Sequence, residues 1–326
     1  MIFRFLISSL LLLVLTVAPP GFAQNNEQWL VNATMPHQTK EKGYGNPVVC
    51  AANYTLPSMD SGGLVVFFHV PKTGGSTIRR NLESVEGINY VFNKNYSQYT
   101  DSAYMVEDMI SEGVRNNSVL FYEIHASTSP SFFGMRRRLE RWRETAFRNG
   151  VPVFYFSVLR EPISYSFSHF NFFHLQKRNP SFERCSATEH DFLRKSVHNP
   201  QCQFLYKGEQ SKWIQQTHDR AREVMVDSQD CNAIEEKLFE LMDWVGTTEG
   251  LTRETVPMLQ KILDMPETVW PSYRVSKELR GYTPFGKEDV SLNALEKISE
   301  MSSLDTKLYQ NVKNHYQYED VILKFK

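Results

Sequence analysis

The stretch Leu64-Val65-Val66-Phe67-Phe68-His69-Val70 leaves the chain few choices. A run this rich in β-branched and aromatic side chains reads as a strand buried on both faces. Pro71 ends it, Gly74 and Gly75 let the backbone bend close to a ligand, and Thr77-Ile78-Arg79-Arg80-Asn81-Leu82 opens a helical pattern. A helix entered through a glycine turn presents unpaired N–H groups and the positive end of its dipole to the turn, which suits an anion. Lys72 adds a mobile positive charge and Ser76 and Thr77 add hydroxyls, while the backbone from Thr73 to Thr77 supplies the N–H groups. The bland alternative is an ordinary glycine turn between strand and helix. In the triphosphate-binding loop the lysine follows the glycines; here it precedes them.

A chain of 326 residues, 41% hydrophobic and 13% aromatic, can bury a large core as one large or two small domains. Its net charge of −1 makes no global electrostatic case for nucleic acid, so an anionic partner must meet a local patch.

The N-terminus has Arg4 and then an apolar run from Phe5 to Ala18, interrupted by Ser8, Ser9 and Thr16. That run is shorter than the ~20 residues of a spanning helix, and Gly21 and Ala23 stand at −3 and −1 of a cleavage site before Gln24. Residues 1–23 therefore read as a secretory signal peptide, with an uncleaved membrane anchor as the alternative. Either places the rest in the secretory lumen or beyond. Asn32, Asn53, Asn95 and Asn116 begin N-glycosylation patterns, and Cys50, Cys185, Cys202 and Cys231 allow three disulfide pairings in an oxidising compartment. No cysteine or histidine spacing suggests zinc. Residues 24–60 are polar and interrupted by proline and glycine, and read as a stem; 61–326 read as the folded domain.

A second strand is expected at Val119–Ile124, ending at His125, and a third at Val151–Leu159, ending at Arg160. A basic helix with Arg136, Arg137, Arg138, Arg141 and Arg143 separates them, and Trp244–Glu249 reads as a fourth strand and turn. Residues 84–117 show only a short helical stretch near Tyr104–Glu112. A helix is expected from Pro162 to about Lys177, then a polar cysteine-bearing segment to Cys231. Further helices read at 233–242, 253–263 and 292–316, with a basic loop at Arg274–Lys287 before the last. Strands alternating with helices specify an α/β fold, a mostly parallel sheet flanked by helices, whose ligands sit at the carboxyl ends of the strands. Lys72, His125 and Arg160 all stand at such ends.

Around Arg160 the chain reads strand, Glu161-Pro162 turn, helix, with proline at the first helical position. An arginine at the strand end and Ser168 on the second helical turn can converge on one phosphate. His125 ends the strand expected beside the first one, and since an imidazole in general titrates near neutral pH it is the candidate general base, with Glu123 in reserve. His69, His169 and His174 read as packed rather than catalytic.

Pro71-Lys72-Thr73-Gly74-Gly75-Ser76-Thr77 resembles the 5′-phosphosulfate loop of sulfotransferases that use 3′-phosphoadenosine 5′-phosphosulfate (PAPS). Leu159-Arg160-Glu161-Pro162 with Ser168 resembles their 3′-phosphate motif. Over roughly residues 64–320 the chain is similar to Golgi carbohydrate sulfotransferases, in particular the heparan and uronyl 2-O-sulfotransferase group. It departs in having Glu161 where aspartate is commoner and Tyr165 where arginine is. The resemblance implies the P-loop-like sulfotransferase fold, PAPS as co-substrate without a metal, and a glycan or other hydroxyl as acceptor in the Golgi lumen. It also implies Lys72 at the leaving phosphate, His125 as base, and Arg280, with Lys277, covering the donor from the basic loop. The Arg136–Arg143 cluster could then hold an acidic glycan, or could be a solvated helix face. Two rivals stay open: a lumenal glycan-binding protein without turnover, and a nucleotide kinase, which would need a lysine after the glycines and an acidic residue for magnesium.

Overall fold

The computed structural model describes residues 56–93, 96–112, 117–125, 131–176, 187–207, 226–272 and 284–316, all within the compact unit 44–326. Its centre is strand β1, Gly63–His69, buried at every position. Helix α1 (Gly75–Leu82) follows, then β2 (Ile88–Asn93), α2 (Tyr96–Glu112), β3 (Val119–His125), α3 (Phe132–Arg148), β4 (Val153–Leu159) and α4 (Pro162–Phe170). Beyond a π-helical turn at Asn171–Gln176 come α5 (Glu189–Lys195), α6 (Pro200–Lys207), α7 (Ser228–Leu241) and β5 (Trp244–Thr247). A second π turn, Leu251–Thr255, leads into α8 (Val256–Ile262), and the described chain closes with α9 (Leu292–Met301) and α10 (Ser303–Tyr316).

The five strands form one sheet in the order β2-β3-β1-β4-β5, and every pairing is parallel. Parallel strands need crossover connections, so helices cover the sheet and its strands are apolar on both faces. Phe67 stacks on Phe156 of the neighbouring strand at 4.6 Å, and each such side chain removed from water contributes about 1.5–3 kcal/mol. The register sets His69 opposite His125, so β1 and β3 end level, with β4 beside them.

Three departures from the sequence expectation have local causes. Strand β2 and the first half of α2 lie where only a short helix near Tyr104–Glu112 was expected, because β2 is an edge strand of mostly half-buried residues with no alternation, its Asn89 exposed and its Asn93 buried. Helices α5 and α6 occupy the polar cysteine-bearing segment. A capping box, Thr188 with Asp191, starts α5, and α5 buries little beyond Phe192. The helix after Pro162 changes to π geometry at Asn171, whose side chain bonds the backbone of Phe285 in both directions.

The basic helix α3 spends several of its charges internally. Arg143 holds both oxygens of Asp243 at 2.8 Å, and Asp243 accepts the Tyr155 N–H at 2.7 Å, tying α3 to β4. Arg136 bonds the Phe133 carbonyl, and Arg138 lies 3.8 Å from Glu107. Of the three cysteine pairings, the structure has Cys202 bonded to Cys231; Cys50, Cys185 and the four glycosylation asparagines lie outside the described residues. So does the 1–23 segment; among the described residues no helix is long and apolar enough to cross a membrane.

Candidate active site

The turn after β1 is built by two left-handed residues, Lys72 at φ 70° and Gly74 at φ 96°. The Thr73 hydroxyl donates back to the Val70 carbonyl at 2.7 Å and closes the turn, so what Thr73 can offer a ligand is its N–H. Gly74 caps α1, and the Thr77 and Ile78 N–H groups bond its carbonyl as the helix begins. Thr77 is buried and Ser76 half-buried. Lys72 is half-buried, its ammonium 3.9 Å from the centre of the Phe172 ring.

Gly75 is required by contact rather than by φ. A Cβ there would lie 2.2–2.5 Å from three atoms of the His69 ring. That ring cannot retreat, because its Nδ1 is 2.6 Å from Glu123 Oε1 and the residue is buried. Gly75→Ala is therefore expected to cost about 1–3 kcal/mol in overpacking, read as a lower urea midpoint; an unchanged midpoint would show that the ring can move.

Glu123 is fully buried in β3 and gathers three partners besides its own strand. Arg79 of α1 donates to both oxygens at 2.8 and 2.6 Å, the Tyr90 hydroxyl of β2 donates at 2.6 Å, and His69 completes the set. Burial alone would raise its pKa, but the hydrogen bonds and charges of His69 and Arg79 outweigh it and hold the carboxyl at about 2. A carboxylate so engaged is a poor proton acceptor, which removes the reserve base suggested by the sequence. The Arg79 guanidinium also lies 3.3 Å from the Phe92 ring centre. His125 is half-buried at the end of the same strand, its ring edge-on to His69 at 4.7 Å and to Phe92 at 6.0 Å. A cavity of about 260 Å³ opens beside the loop, lined by Ser76, Arg79, Arg80, Glu83, Tyr90 and Phe92.

On the other side of β1, Arg160 follows the last residue of β4. One guanidinium nitrogen donates to the Lys72 carbonyl at 3.2 Å, while its Nε is buried without a hydrogen-bond partner. Burial works against this charge; Glu249, Tyr165 and Glu161 partly restore it. Glu161 is the N-cap of α4, accepting the N–H groups of Ile163 and Ser164, with Pro162 in the first turn as expected. The longer glutamate thus performs the cap. Ser168 is half-buried on the second turn of α4. The Tyr165 hydroxyl is buried without a hydrogen-bond partner. Arg280 and Lys277 lie outside the described residues.

The structure thus joins Lys72 to Arg160 directly and His125 to the loop through His69. Sequence reasoning missed Arg79, Tyr90, Gln201 and Glu249, which accepts the Tyr309 hydroxyl at 3.0 Å. An acidic residue inside the apolar run Val119–Ile124 was the available signal for a buried charge partner. Among the described residues no group of acidic, histidine or cysteine side chains could hold a metal.

No protein-family model and no curated protein matches the chain. Among solved structures it is similar to a sulfotransferase from Alicyclobacillus acidocaldarius, with 14% identity and a TM-score of 0.37 over 78% of this chain and 95% of that one. So distant a likeness carries no argument about chemistry. The functional reading rests on the side chains at the strand ends.

Proposed function

We propose that this chain transfers a sulfuryl group from PAPS to a hydroxyl, in a glycan acceptor, within the secretory pathway. The observation that carries the reading is the pairing of the two cationic strand ends. Lys72 and Arg160 follow neighbouring parallel strands, meet through the Lys72 carbonyl, and leave Arg160 Nε buried and unsatisfied. A buried donor without an acceptor is costly, and an anion bound at this edge would satisfy it.

In this reading PAPS is the sulfuryl donor, and its reaction needs the acceptor oxygen in line with the departing phosphate. Lys72 and the N–H groups at the start of α1 bind the 5′ side, and the ammonium offsets the charge that grows on the leaving phosphate. Arg160 and Ser168 bind the 3′-phosphate, with Arg280 covering it from the C-terminal loop. His125 accepts the proton of the acceptor hydroxyl. With Glu123 held by His69, Arg79 and Tyr90, the imidazole is the base of choice at this edge. The cavity beside Ser76 borders Phe92, whose ring meets that of His125, and is the candidate seat of the acceptor.

Calorimetric titration with the desulfonated product, 3′-phosphoadenosine 5′-phosphate, tests the donor. Tight binding is expected for the purified chain, with a large loss in Arg160→Ala and none of comparable strength for ATP with magnesium. Absent binding, or a preference for ATP, would overturn the reading in favour of a non-catalytic module or a kinase.

A further inference from the structure

The end of β4 is held by a residue that neither motif contains. Register pairing of β4 with β5 stops at Leu159, opposite Thr247, and the Leu159 carbonyl is taken by Thr248. Arg160 is the first residue beyond the ladder, and its backbone N–H and C=O need other partners. Gln201, the second residue of α6 and 1% exposed, supplies both. Its Oε1 accepts the Arg160 N–H at 2.9 Å and its Nε2 donates to the Arg160 carbonyl at 2.8 Å. One carboxamide takes the place of the missing strand.

Gln201 is itself fixed from behind. Its N–H and that of Cys202 donate to the buried Asp305 carboxyl of α10 at 2.9 and 2.8 Å. Asn199, at φ 43°, accepts the Leu304 and Asp305 N–H groups through its Oδ1. Cys202 is bonded to Cys231 of α7. The amide that grips Arg160 is therefore anchored to α7 and α10, not to the phosphate loop.

We infer that Gln201 is a positioning residue for 3′-phosphate recognition: it fixes the backbone of Arg160, and through it the aim of the guanidinium, without touching the donor. This rests on the sulfotransferase reading. A residue that merely filled space between α6 and β4 would be replaceable by an apolar side chain of its size.

The test compares two probes, 3′-phosphoadenosine 5′-phosphate and adenosine 5′-phosphate, which differ only in the 3′-phosphate. In Gln201→Met, which keeps the volume and removes both hydrogen bonds, the preference for the 3′-phosphorylated probe is expected to fall about tenfold. Affinity for adenosine 5′-phosphate should hold. Gln201→Asn keeps the amide but not the reach, and serves as the second variant should the first unfold, with the same loss expected. Adding Gln201→Met to Arg160→Ala should cause no further loss of preference. An unchanged preference in the folded variant, or equal losses for both probes, would overturn the inference and leave the sulfotransferase reading standing. A wild-type chain indifferent to the 3′-phosphate would overturn both.

Discussion

Lys72→Ala is expected to lower turnover of sulfuryl transfer by about 10²–10³-fold, the scale on which single preorganised donors act on developing charge. Its side chain is half-buried against Phe172, and that partly dry setting makes its charge count for more than it would in open water. Alanine keeps the Cβ, so the left-handed backbone at φ 70° is no easier or harder to hold, and stability should barely change. The effect belongs in kcat, because the phosphate gains charge only as the bond to sulfur breaks; affinity for the unreacted donor should fall much less. Lys72→Arg should rescue little, since a planar fork cannot occupy the place of a compact ammonium. Equal losses in kcat and in affinity for the unreacted donor would make Lys72 a simple anchor, and an unchanged kcat would remove it from the chemistry.

The second large effect falls on stability. Glu123→Gln leaves the Arg79 guanidinium, whose side chain is 17% exposed, facing a neutral amide, and spoils the contacts to His69 and Tyr90. Breaking a buried charge pair from one side costs about 3–5 kcal/mol. The pH dependence gives an independent reading. The folded-state pKa of Glu123 is depressed from 4.5 to about 2, so its stabilisation is complete above about 4.5 and is lost as the pH falls toward 2. The shift corresponds to a loss on the order of 3 kcal/mol across that window. Urea unfolding at pH 7 and pH 3 should show the wild type losing much more than Glu123→Gln between the two. Parallel losses would mean that other carboxylates govern acid unfolding.

What could be read from the sequence was whatever the chain states locally. Strands β1, β3 and β4 announce themselves because a strand buried on both faces must be apolar at nearly every position, and the turn glycines and Pro162 mark where helices begin. Strand β2, at the edge of the sheet among the described residues, exposes Asn89 and buries Asn93 against the Tyr122 hydroxyl, so its pattern dissolves into the surrounding Asn and Tyr. The site divides in the same way. Lys72 and Arg160 sit in motifs, whereas Arg79 meets Glu123 across 44 positions and Gln201 meets Arg160 across 41. Partners so far apart are matched by the sheet order and by helix packing, which no short window encodes. Gly75 is instructive, since its glycine looked like turn chemistry and is in fact demanded by the ring of His69.

The sheet order also governs how the chain can acquire its structure. Strand β1 is made early but pairs with β3 on one side and β4 on the other, so one edge stays open until residue 125 has been synthesised and the other until residue 159. During that interval a bare segment of Leu, Val and Phe must be kept from pairing with other chains. Contacts this distant in sequence also make folding slow. Chaperones, more than the stability of the finished domain, would then set how much protein a cell recovers.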